Sequence, residues 1–231
     1  MIAANVGSIR ARMEEAARMA GRTSLPRLVG VTKRRSVDEI RRLVQAGVCH
    51  LAENRWEEWE SKRSLIEASD GPEVSWHFLG TIQSRSLRKY YRPLFRIDSL
   101  DSRPHAEILS ALSARHGRRQ SILLEVNVLR EPGRAGFWPE ALEEELENLA
   151  PLEALDIRGL MVMGPLPEPP GNMERTRRVF GEARDLWDGL RKNWPCLEEL
   201  SMGMSEDFEE GIRCGATEVR IGRLLFEEGV V

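Results

Sequence analysis

The chain has 231 residues, 41% of them hydrophobic and 31% charged, and no Ser-, Gly- or Pro-rich linker divides it, so one domain spanning residues 1–231 is expected. Cys49, Cys196 and Cys214 are widely spaced and form no C-x-x-C pair, which argues against a disulfide framework or a zinc site and for a reducing cytoplasm. A net charge of −3 drawn from both signs, basic runs as short as Lys33-Arg34-Arg35, and a charged amphipathic N-terminal segment exclude a nucleic-acid stripe, a signal peptide and a membrane span.

A helical apolar period covers residues 2–20. From Pro26 onward, short β-prone apolar runs alternate with amphipathic helical stretches. The spacing predicts strands at 27–33, 48–53, 75–80, 95–100, 122–128, 157–164, 199–205 and 218–222. Helices are expected between them at 37–46, 55–68, 84–91, 104–116, 139–149, 173–193 and 207–213, with a short last one at 224–227. Ser36-Val37-Asp38-Glu39 reads as a capping box, and Gly47 and Gly215 each follow the last turn of a helix. Strict alternation requires a parallel sheet, and eight such units close into a (β/α)8 barrel carrying one extra N-terminal helix. The alternative is an open doubly wound sheet. Against it, the first strand is followed by Lys-Arg-Arg-Ser, where a dinucleotide-binding sheet would place G-x-G-x-x-G.

In such a barrel the carboxyl ends of the strands converge on one mouth. That selects Lys33, Glu53, Asn54, Gly80, Asp98, Asp101, Asn127, Met161, Met163, Ser205, Arg220 and Gly222. The basic residues number 34, of which only Lys33, Lys62, Lys89 and Lys192 are lysines. The last three lie in polar helical stretches, whereas Lys33 ends an apolar strand, where a desolvated amine beside other cations suits imine formation. The bland alternative is a strand-end lysine reaching solvent. Ser205 opens a helix, as a phosphate-binding hydroxyl or as a simple N-cap. Arg220 and Gly222 share one face of the last strand, where they read either as a second phosphate contact or as an inward arginine paired with a carboxylate. Met161 is by default barrel packing, with a flat ring as the alternative neighbour. His77 reads as a hydrogen-bonded core histidine, and Asp98 and Asp101 as strand-end or N-cap residues.

Several longer motifs run in order along nearly the whole chain: Leu28-Val29-Gly30-Val31-Thr32-Lys33, Ala52-Glu53-Asn54, Trp76-His77-Phe78-Leu79-Gly80, Arg158-Gly159-Leu160-Met161, Leu200-Ser201-Met202-Gly203-Met204-Ser205 and Val219-Arg220-Ile221-Gly222. In these the chain resembles the YggS/PROSC group of pyridoxal phosphate homeostasis proteins. The resemblance implies a barrel like the N-terminal domain of alanine racemase, with Lys33 carrying pyridoxal 5'-phosphate (PLP) as a Schiff base. It also implies Asn54 near the cofactor, Ser205 with the amides of Gly222 and Arg223 on the phosphate, and Arg220 close to the pyridine nitrogen, and the flat ring that Met161 is expected to meet is then the cofactor's. An always-charged guanidinium there leaves the ring nitrogen unprotonated and weakens the ring as an electron sink. The chain departs from the family pattern at Arg35, Ser36, Arg134, Arg223 and Glu227, which bears on any secondary lysine site and on the phosphate contacts.

The function implied is PLP holding and homeostasis without robust catalysis, by a monomer in the cytoplasm whose further partners are apo PLP-dependent enzymes. The nine residues after Gly222 are expected to leave no room for the second domain that a racemase uses. The two alternatives are a PLP-dependent racemase-like enzyme and a class I aldolase-like barrel in which Lys33 reacts with a sugar phosphate.

Overall fold

A computed structural model describes residues 1–68, 71–166, 169 and 171–227. Eight parallel strands form a closed barrel in chain order: β1 (Arg27–Val31), β2 (His50–Glu53), β3 (Ser75–Phe78), β4 (Arg96–Leu100), β5 (Gln120–Val126), β6 (Leu155–Val162), β7 (Glu199–Ser201) and β8 (Glu218–Ile221). β8 pairs back onto β1, with Val29 opposite Arg220. The expected (β/α)8 architecture is therefore the one found. The helices are α1 (Ile2–Met19), α2 (Val37–Gln45), α3 (Trp56–Glu67), α4 (Ser84–Tyr90), α5 (Arg103–Arg115), α6 (Leu142–Leu149), α7 (Glu174–Leu190), α8 (Phe208–Arg213) and α9 (Arg223–Phe226). Among the described residues no helix is long and apolar enough to cross a membrane.

Each element follows from local chemistry. Ser36 and Glu39 complete the capping box of α2 reciprocally, so two orphan amides are satisfied at its start. α1 buries Ile2, Val6, Ile9 and Met13 against the barrel's helical layer, and Asn5 on the same face donates to the carbonyls of Leu225 and Glu227. The extra helix thereby ties down α9, the short helix that borders the barrel mouth.

All eight strands differ from their expected bounds at one end or both, and three of the differences have a visible reason. β1 stops at Val31 because Thr32 begins a turn in which the Arg35 amide donates to the Thr32 carbonyl at 3.0 Å. β5 starts early, at Gln120, because that polar residue is buried and satisfied by the backbone of Leu94 and the hydroxyl of Tyr91. β7 is short because Gly203 turns the chain at φ +98°, where a Cβ would come within 2.8 Å of Phe208 Cα.

Charged and polar side chains occupy the amino-terminal end of the barrel interior. Arg96 is fully buried, and its guanidinium donates to Asp98 at 2.6 Å and to both oxygens of Glu218 at 2.7 and 2.6 Å. Asp98 is thus no strand-end cap, as it faces inward from the middle of β4 and also accepts from His77 Nδ1 at 3.0 Å. With that proton committed, His77 Nε2 accepts from His50 Nδ1 at 3.0 Å, which bears out the reading of His77 as a bonded core residue. Burial, followed by His77, pushes the pKa of His50 down to about 4, so this pair is uncharged on the His50 side at neutral pH. Burial, the largest single cause, opposes ionisation of Asp98 and Glu218, yet Arg96 and His77, joined at Glu218 by the Ser201 hydroxyl, together hold both carboxyls below their ordinary values. The stability that these groups add is present above ordinary carboxylate pKa values and is lost only as pH falls through the depressed folded ones.

Breaking this cluster leaves the buried Asp98 carboxylate without its arginine and Glu218 with Arg27 alone. Arg96→Leu is expected to destabilise the fold by about 3–5 kcal/mol in chemical denaturation. A loss below about 1 kcal/mol, the range of an exposed ion pair, would contradict the charge balance described here.

Candidate functional site

The site is built on the turn after β1. Thr32 is buried, and its hydroxyl donates to Glu53 Oε1 at 2.6 Å, at the end of β2. Lys62, on α3, donates to the Thr32 carbonyl at 2.9 Å, to Glu53 Oε1 at 2.7 Å and to Glu58 Oε2 at 3.1 Å. The Arg34 amide donates to the same Glu58 oxygen, and Arg34 itself stands at φ 61°. A side chain in that left-handed conformation costs roughly 1–2 kcal/mol, which the surrounding bonds offset. The turn that displays Lys33 is therefore held from beneath by a buried ammonium–carboxylate pair.

This arrangement inverts one expectation. Lys62, read from sequence as a surface lysine, is buried, while Lys33 is exposed. Lys62 occupies the apolar face of α3 along with Trp56, Trp59 and Ile66, a helical spacing that the sequence displays. Burial lifts the Glu53 carboxyl above its ordinary value against the pull of Lys62 and Thr32.

Lys33 makes no hydrogen bond or ion pair among the described residues. It lines a cavity of about 510 Å³ together with Asn54, Gly222 and Arg223, so four of the residues singled out from sequence meet in one place. Arg34, Arg35, Arg55 and Glu58 complete a mostly cationic rim. Asn54 is set by a close approach: a Cβ on Gly80 would lie 2.1 Å from the Asn54 carbonyl, so only glycine fits at the end of β3. Arg35 lies over the Phe226 ring at 4.6 Å, and Arg223 pairs with Glu206 at 2.7 Å. These contacts lace together the turns that follow β1, β7 and β8.

Ser205 is half-buried in the loop between β7 and α8. The N-cap of α8 is Asp207, whose carboxylate accepts from the Met204 amide at 2.6 Å, so Ser205 does not serve as the cap. Its hydroxyl makes no hydrogen bond among the described residues. Met161 and Arg220 are buried in the barrel interior, Met161 in register with Glu125 and with Ser201. Arg220 Nη1 donates to Ser201 Oγ at 2.8 Å and Nη2 to the Val162 carbonyl at 3.0 Å. No ion pair joins it to a carboxylate among the described residues, so it is not the paired inward arginine of the bland reading. Burial lowers its pKa, and the more distant carboxylates of Glu218, Asp98, Asp207 and Glu125 oppose that shift.

Glu125 is a residue that the motif reading passed over. It is buried near the end of β5, and burial, followed by the nearby Asp101 carboxylate, pushes its pKa up to about 7 against the opposing pull of Arg220 and Arg134. A lone glutamate inside the apolar run Ile122–Val126 was the available signal. Asn127, just past the end of β5, folds the following loop by bonding both the amide and the carbonyl of Glu131.

A family model described as "Alanine racemase, N-terminal domain" matches residues 4–228. A pyridoxal phosphate homeostasis protein of Aquifex aeolicus (strain VF5) is 35% identical over 219 residues, covering 94% of this chain and 93% of that one. PipY of Synechococcus elongatus PCC7942, solved without PLP and with PLP bound, is 33% and 32% identical, with TM-scores of 0.81 and 0.79. In both cases the match covers 98% of this chain and 100% of PipY. An alanine racemase of Clostridium difficile 630 matches with a TM-score of 0.74 at 16% identity, over 97% of this chain and 56% of the racemase, a likeness of fold alone.

The raised pKa of Glu125 has a stability consequence with a definite sign. The folded state holds this proton more tightly than the unfolded chain, so the advantage is full below about 4.5 and is lost as pH rises through about 7. Relative to the parent, Glu125→Gln is expected to gain roughly 3 kcal/mol of unfolding free energy between pH 4 and pH 8. Urea denaturation at both values checks this, and a pH-independent difference would mean that Glu125 titrates normally.

Proposed function

Because this chain belongs to the alanine racemase N-terminal-domain family and, within it, to the pyridoxal phosphate homeostasis proteins, we propose that it holds PLP on Lys33 as a Schiff base and buffers the cofactor without robust turnover. The observation that carries the reading is Lys33 itself, an amine without a hydrogen-bond or ion-pair partner among the described residues, at the rim of a cavity of about 510 Å³, on a turn held by Lys62. PipY, the relative solved with PLP bound, supports the choice of cofactor.

The residues present fit that group. Lys33 supplies the amine and Arg223 a cation for an anionic tail, while the Ser205 hydroxyl is uncommitted. Arg220, a donor-only guanidinium with no carboxylate pair among the described residues, suits an aromatic nitrogen that accepts without being protonated. Bound PLP supplies an aldehyde for imine formation and an electron-withdrawing ring, and a guanidinium at the ring nitrogen keeps that ring a weak electron sink. In this reading the protein works as a monomer in the cytoplasm, and PLP-dependent apoenzymes are its clients.

A racemase-like reading is favoured by one observation, Glu125, a buried carboxyl poised near neutrality in the barrel interior. Proton exchange at Cα of amino acids in heavy water separates the two readings, because sustained turnover contradicts a carrier. An aldolase-like barrel is separated by its spectrum, since without PLP no yellow imine band forms.

Mass spectrometry of the borohydride-reduced, PLP-loaded protein is expected to find the modification on Lys33. Lys33→Ala should abolish it with little change in stability, because the side chain is exposed and unpaired among the described residues. A reducible adduct surviving on Lys62, Lys89 or Lys192 contradicts the assignment. Ser205→Ala is expected to weaken PLP retention by roughly 1–3 kcal/mol if it removes one charge-assisted hydrogen bond, as read by equilibrium dialysis. Unchanged affinity moves the phosphate away from that loop.

A further inference from the structure

The guanidinium of Arg220 is buried, yet the anion that balances it stands one hydroxyl group away. Ser201 Oγ accepts from Arg220 Nη1 at 2.8 Å and donates to Glu218 Oε1 at 2.7 Å. A hydroxyl has a single proton, and an ionised Glu218 only accepts, so the direction of this chain is fixed: Arg220 to Ser201 to Glu218. Glu218 in turn is engaged at both oxygens by Arg96 and at 3.1 Å by Arg27. Its charge is shared among those two arginines, so it does not reach past Ser201 to pair with Arg220 directly.

The consequence for Arg220 is geometric. Two neutral acceptors, Ser201 Oγ and the Val162 carbonyl, fix the guanidinium plane, and no carboxylate occupies its fork. A carboxylate at that position would satisfy two parallel N–H groups at once and leave little for a ligand. The hydroxyl takes one N–H and leaves the remaining donors of the fork available. Resting on the reading that Arg220 faces a bound ring nitrogen, we propose that Ser201, backed by Glu218, is a positioning residue that aims the Arg220 guanidinium at an aromatic nitrogen acceptor. Neither residue touches the ligand, and both act through Arg220.

The test uses the full chain loaded with PLP and, in parallel, with the analogue whose ring nitrogen is replaced by C–H. Ser201→Ala is expected to speed PLP dissociation about tenfold, as a misaimed charged donor should. It should also displace the pH titration of the imine absorption band. Ser201→Thr keeps the hydroxyl and is expected to restore both. With the nitrogen-free analogue, the parent and Ser201→Ala should dissociate at the same rate, because there is no acceptor left to aim at. A purely structural role for Ser201 predicts the same acceleration with both ligands, and that result overturns the proposal, as does a Ser201→Ala protein with parental dissociation and titration. Should the alanine variant fail to fold, the near-isosteric Ser201→Cys is read by the same comparison. A parent protein with no borohydride-reducible adduct on Lys33 defeats the functional reading itself, an outcome distinct from either result for Ser201.

Discussion

Arg96 sits inside the barrel beyond the reach of water, and how its charge is shared organises much of the interior around it. One side of its guanidinium is held by Asp98, which in turn fixes the His77–His50 pair. The other side is held by Glu218, which orients Ser201 and through it Arg220. A buried cluster of this kind contributes little net stability over a well-packed apolar filling. Its effect is directional: donors from Arg96, Arg27, Ser201 and His77 converge on the carboxylates of Asp98 and Glu218, which fixes the arrangement of charge in the interior. The barrel begins with an ionic layer and continues, toward the carboxyl ends of its strands, to an arginine that makes no direct ion pair with a carboxylate among the described residues.

The same division between structural and available charge recurs among the lysines. Lys62 is committed to three oxygens beneath the β1 turn, while Lys33, on that turn, has no partner among the described residues. An amine that is to meet an aldehyde must be both unpaired and held in place. Here the holding is done by Thr32, Glu53, Glu58 and Lys62, and none of it consumes the Lys33 nitrogen. The neighbouring turns are fastened by Arg35 on Phe226 and Arg223 on Glu206, so the rim of the cavity is joined by cations of this chain. The Arg-for-Lys character of the sequence fits this use, since guanidinium groups stack and fork where ammonium groups do not.

The architecture was legible because eight apolar runs, each followed by an amphipathic period, admit few closed solutions. What escaped the sequence was burial of polar residues. Gln120 belongs to β5 although it interrupts the apolar pattern, because its amide is satisfied by a loop and a tyrosine far along the chain. Lys62 carried the correct helical spacing for the buried face, but its residue type argued for the surface, and its partner Glu53 lies on a different element. Glu125 likewise stood in plain view within an apolar strand. Its raised pKa comes first from burial and then from Asp101, against the pull of Arg220 and Arg134, and only the closed barrel sets these around it. Lys33, Asn54, Gly222 and Arg223 were legible as one cluster because the barrel rule places strand ends together, whereas the commitment of Arg223 to Glu206 was not.

The account stands or falls on where the Lys33 nitrogen and the Arg220 guanidinium meet the cofactor. A crystal structure of the chain grown with excess PLP reads this directly. It should show continuous density from Lys33 Nζ to the ligand, the Arg220 guanidinium within hydrogen-bonding distance of the ring nitrogen, and the phosphate in the turns that follow β7 and β8. A ligand whose aldehyde carbon lies beyond bonding distance of Lys33, or whose phosphate lies elsewhere, would contradict it.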